Sequence, residues 1–270
     1  MSKSLAIIPQ FLQDPQAFYQ SIQKGEDIKN KAISLFLSSV LFLLVYGFVT
    51  GLSHSWAQAL STAVKMPLLF LLTLAFCLPA LYFFALALLG NQLSIAQVGV
   101  VVLSGIGVTA FLLLGLAPVV LFFVLTSTNY PFFQLVAVIF VAVSGFIGLY
   151  YLLRGLTWVD KDKELTMGSI GRILLGAWVA LYGFVGAQMT WRLSPLIGDP
   201  EAPFVLIRPS RDNFFIDVIR AIEGTFGISR GRASSVDYLG AFLCFGFLTV
   251  IALMVGVWLG SRRKQGSAPQ

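Results

Sequence analysis

Charge is what this chain lacks first. Between Lys65 and Arg154 there is no Lys, Arg, Asp, Glu or His. A water-soluble fold turns part of every element to solvent and cannot sustain such a gap. Lipid hydrocarbon can, since a spanning helix takes roughly 20 apolar residues and 66–153 holds enough for about three. Charged residues are 11% of the 270, against about a quarter in an ordinary globular chain. Cysteine is nearly as scarce. Cys77 and Cys244 each lie inside an apolar run, where a small buried thiol is the default. There is no CxxC, no Cys/His cluster, and one histidine, His54. These absences argue against zinc and haem sites, and no cofactor is expected.

What is present is apolar: 57% of the residues, with a mean hydropathy of +0.87. Gly90-Asn91-Gln92 and the stretch from Thr126 to Pro131 punctuate the long run. The pattern predicts an all-α, polytopic membrane protein, a six-helix transmembrane bundle with spans at 33–52, 66–89, 98–125, 132–153, 173–191 and 236–259. Helices are required because isolated strands leave backbone groups unsatisfied in lipid. Pro79 should kink the second span, and the third could tilt or break near Pro118. Residues 1–32 read as an amphipathic segment carrying a helix on the membrane surface. Asp14 would cap that helix and Pro15 would be its first residue. An ordered loop at 192–235 and a basic tail at 260–270 complete the domain plan.

The net charge of +6 sits in tails and loops, so it reads as anchoring to anionic lipid rather than to nucleic acid. Lys3, Lys24, Lys29, Lys31, then Arg154, Lys161, Lys163, Arg172, then Arg262, Arg263, Lys264 fall on one side of the plan. That side should be the cytoplasm of a bacterial inner membrane, with both termini inside. The arginines of 192–235 oppose the rule, but longer loops translocate with less regard to charge. Trp56, Trp158, Trp191 and Trp258 mark helix ends as an interfacial belt. Trp178 lies inside the fifth span, where packing between helices is the simplest account and its N–H needs a partner.

The spans hold essentially no acid or base, so a catalytic site within them is not expected. Their Ser and Thr residues usually bond their own helix. Gly176, Ala180, Gly183 and Ala187 share one face of the fifth span and predict close helix packing, with that helix at the centre or against a second copy. Gln188 would bond a neighbouring helix. Ser144 and Gly148 repeat the small-residue pattern in the fourth span. The 192–235 loop carries the candidate contacts to lipid headgroups or to other membrane proteins: Trp191, Arg192, Arg208, Arg211 and Asn213. Residues 214–222 read as a helix with a broad apolar face, capped at Asp212 or Asn213.

Gln13-Asp14-Pro15, then Phe18-Tyr19, then a first membrane helix from Ile33 resemble the opening of the Yip1-like superfamily. That resemblance implies a five-helix membrane fold, so the loop at 192–235 and a sixth helix depart from it. Residues 53–60, 65–70 and 188–200 look like a group of uncharacterised bacterial multi-pass membrane proteins. Some of these carry an actin-binding label, but this chain has no cytosolic amphipathic helix followed by a basic actin-contact motif. The expected function is a non-enzymatic integral membrane protein organising lipid or partner proteins. The alternative is a transporter or lipid-handling protein for an apolar or amphipathic substrate, with a mid-membrane cavity lined by Ser104, Thr109 or Gln188. An enzyme using Asp199, Glu201, Asp212, Asp217 or Glu223 ranks third, because no nucleophile, base and orienter stand in a recognisable spacing.

Overall fold

The computed structural model describes residues 7–89, 94–126, 129–158, 169–198, 203–207 and 214–226. Among them the chain is helical with no strand: α1 (Ile7–Gln13), α2 (Pro15–Gln23), α3 (Ile28–Gly51), α4 (Trp56–Leu89), α5 (Ile95–Thr126), α6 (Tyr130–Trp158), α7 (Ser169–Arg192) and α8 (Phe214–Phe226). Four of these, α3 to α6, are long and apolar enough to cross a membrane. They cover the first four predicted spans, save that the first runs one residue past α3 to Leu52, and the fifth falls within α7. The sixth span, 236–259, and the tail lie outside the described residues.

Helix ends follow local chemistry. The Asp14 carboxylate accepts from Ala17 N at 3.0 Å, with Pro15 opening α2, as the sequence predicts. Ser55 Oγ accepts from Gln58 N at 3.2 Å at the start of α4. Ser94 and Gln97 form a reciprocal capping box on α5: Gln97 N donates to Ser94 Oγ and Ser94 N to Gln97 Oε1. Asn129 Oδ1 accepts from Phe132 N at 3.1 Å to open α6. The α4 and α5 helices run unbroken past Pro79 and Pro118.

Successive long helices are antiparallel. Gly47 and Gly51 of α3 face Met66 and Ala59 of α4, Gly105 of α5 faces Gly148 and Leu152 of α6, and Gly186 of α7 faces Thr73 of α4. Helices α3 and α5 run parallel, with Ser39 beside Gly107 and Phe42 beside Phe111. Packing centres on α3 and α5, which touch each other, α4, α6 and the N-terminal helices. Helix α7 lies to one side, against α4 and α8. Among the described residues it is not the centre of packing, and the predicted sixth span lies outside them. The tight backbone approaches fall elsewhere: a Cβ at Gly148 would overlap Thr109 Oγ1 and Gly105 O, and one at Gly51 would sit 2.6 Å from Ala59 Cα. Small residues allow such approaches, which is how helices associate where lipid is as apolar as leucine.

The N-terminal segment also differs from a helix lying flat on a membrane. Helices α1 and α2 are a consecutive pair bent at Asp14, whose Ile8, Phe11, Tyr19 and Ile22 are at most 1% exposed. Ile8 reaches Gly107 and Ser39 lies alongside, while the carbonyl of Ile22 is held by Gln97. Those two α5 positions are ten residues apart, about 15 Å along the axis. The apolar face is covered by the bundle instead of by lipid.

Candidate functional site

Three places concentrate polar or open surface. The first is at the end bearing the α3–α4 turn. Gln58, Thr62 and Lys65 lie on one face of α4 at i, i+4 and i+7, and all three are buried, at 1%, 0% and 6% exposure. They donate to main-chain carbonyls of the segment after α7. Gln58 Nε2 donates to Pro195 O at 2.8 Å and Thr62 Oγ1 to Leu196 O at 2.8 Å. Lys65 Nζ donates to Pro195 O at 3.1 Å and to Leu206 O. Tyr130 OH donates to Ile197 O at 3.2 Å. His54, bonded to Ser55 Oγ at 2.8 Å, packs so closely on Gly198 that a Cβ there would meet it at 2.5 Å. This is a carbonyl clamp. It satisfies non-helical backbone pressed against a membrane helix, and carries α4 straight through Lys65, where the sequence plan starts the span one residue later.

The second place is the docked N-terminal pair, α1 and α2. Tyr19 OH donates to Tyr151 O at 3.0 Å and lies 2.9 Å from Ser104 Oγ. Burial pushes the phenol's pKa up, partly offset by the Ser104 hydrogen bond. The ring stays protonated, so docking is complete below the ordinary tyrosine pKa and weakens as pH rises above it. The ring fills the space left by Gly155, where a Cβ would collide with it. Gln97 Nε2 caps the end of α2 through Ile22 O at 2.8 Å and Gln23 O at 3.1 Å.

The third is an apolar groove of about 460 Å³ between α5 and α6. Leu112, Gly115, Leu116, Val143 and Ile147 are among its walls. Val143 and Ile147 are exposed at its mouth, and a Cβ at Gly115 would meet nothing within 4 Å. Ser144 also borders it and stands midway along α6, about 21 Å from either end.

The sequence-derived residues are scattered relative to these places. Trp191 is half-buried, its indole N–H meeting no hydrogen-bond acceptor among the described residues. Arg192 is exposed and stacks on that ring, 4.8 Å from the centroid. Arg208, Arg211 and Asn213 lie outside the described residues. Gly176 and Gly183 have no atom within 4 Å of an added Cβ, Ala180, Ala187 and Gln188 are half-buried, and the face of α7 that meets α4 is another one. There Trp178, 1% exposed, donates to Cys77 O at 3.0 Å, the partner its position demanded. Ser104 and Thr109 are closed into helix contacts with Tyr19 and with Gly105 O, and neither lines the groove. Asp217 pairs with Arg220 at 3.8 Å within exposed turns of α8. Gln58, Thr62 and Lys65 had no sequence signal beyond their polarity, because their partners are carbonyls 130 or more residues away.

No family model matches the chain, and neither a curated protein nor a solved structure matches it.

Proposed function

We propose that the protein is a non-enzymatic component of a bacterial inner membrane that organises lipid, with six crossings and both termini in the cytoplasm. The α5–α6 groove carries this reading. It is wholly apolar at its surface, lies in the middle of two membrane-spanning helices, and opens outward past Val143 and Ile147. A headgroup does not reach that depth, whereas an acyl chain does. Hydrocarbon gains no hydrophobic free energy by moving from lipid into such a groove, so retention rests on packing and selects chain shape. Partner membrane proteins would then be met through lipid held at this surface.

The test is a native mass spectrum of the protein released from mild detergent. Phospholipid adducts are expected on the wild type. Gly115→Phe, at a position where an added Cβ meets nothing within 4 Å, fills the groove and should remove most of them. Equal adducts on both proteins would overturn the reading.

A further inference from the structure

Four consecutive apolar side chains stand outside any helix, tied to one level of α4. Phe204, Val205, Leu206 and Ile207 are 42%, 36%, 58% and 58% exposed. Lys65 Nζ holds Leu206 O, so this stretch sits within one lysine side chain of α4 at the level of Lys65. That level is nine residues from Trp56, about 13 Å along the helix. Trp56, Leu60, Val64, Leu68, Leu72 and Phe76 recur every fourth residue on α4 and are all exposed. They form an exposed apolar row that brackets the level of Lys65 on both sides, as a row in contact with lipid would.

We propose that residues 204–207 are a lipid-docking surface, inserted among acyl chains of the leaflet at the α3–α4 end and held there by Lys65. Non-helical backbone survives at membrane depth only where protein satisfies its polar groups. The clamp does this for Pro195, Leu196, Ile197 and Leu206 with Gln58, Thr62, Tyr130 and Lys65. In water those carbonyls would be solvated without taking a lysine into the interior. None of these residues lines the α5–α6 groove, so either can fail alone.

A nitroxide on Val205→Cys, with Cys77 and Cys244 replaced by Ala, reports the environment in phosphatidylethanolamine/phosphatidylglycerol vesicles. Collision with oxygen should exceed collision with a water-soluble nickel chelate, as at a Leu68→Cys control and opposite to a Gln16→Cys control. Nickel exceeding oxygen would overturn the proposal. Protection from both would also overturn it, placing a protein partner or a second copy on the surface. With Lys65→Met added, the sign should reverse at 205, while Lys65→Arg preserves it. An unchanged sign in Lys65→Met refutes the anchoring role. The label in the protein retaining Lys65 decides insertion even if Lys65→Met does not fold.

Discussion

Tyr19 shows how single residues hold this protein together. Its hydroxyl ties the N-terminal helices to both α5 and α6, and its ring depends on the missing side chain at Gly155. Tyr19→Phe keeps the packing and loses the hydrogen bonds, at about 1 kcal/mol each. Gly155→Ala forces the ring from its place, at about 1–3 kcal/mol. Thermal unfolding in detergent should therefore show both variants destabilised to a similar degree, and a neutral Gly155→Ala would contradict the contact. Some residue roles were legible in the sequence. Asp14 before Pro15 carries its own capping chemistry, and a tryptophan inside a span requires a partner for its N–H. Lys65 was not legible. A cation at the edge of an apolar run looks like a boundary, and only the fold brings Leu206 O to it.

Among the elements, the pair α1 and α2 departs most from the sequence plan. Its apolar spacing is that of an interfacial helix, and spacing alone cannot say whether lipid or protein covers the apolar face. Gln97 makes the difference physical, since one side chain closes the α5 capping box and also caps α2. Gln97→Ala removes both. In hydrogen–deuterium exchange, amides of α2 should lose protection while those in the middle of α5 keep theirs. Unchanged protection in α2 would show that it is not held from α5. The α7 stripe teaches the converse. Gly176 and Gly183 share a face, but small residues permit close packing without specifying where it happens. At Gly148 the neighbouring Thr109 and Gly105 take that permission up.

For the whole molecule, the uncharged run carried most of the architecture. It located α4 to α6 and their connections, because polar punctuation and helix ends coincide at 90–94 and 127–129. The polar sites stayed hidden because each joins distant parts of the chain through main-chain carbonyls, which leave no pattern in side-chain identity. One physical arrangement ties these scales together: apolar ridges face hydrocarbon, and buried polar side chains are turned inward to hold backbone. The most direct measurement is substituted-cysteine labelling along α4 in intact membranes, using a membrane-impermeant maleimide on a background lacking Cys77 and Cys244. Positions 60, 64, 68, 72 and 76 should all resist labelling although they are the exposed ridge of the protein, because lipid covers them. Efficient labelling along that ridge would mean that water bathes it and would contradict the account.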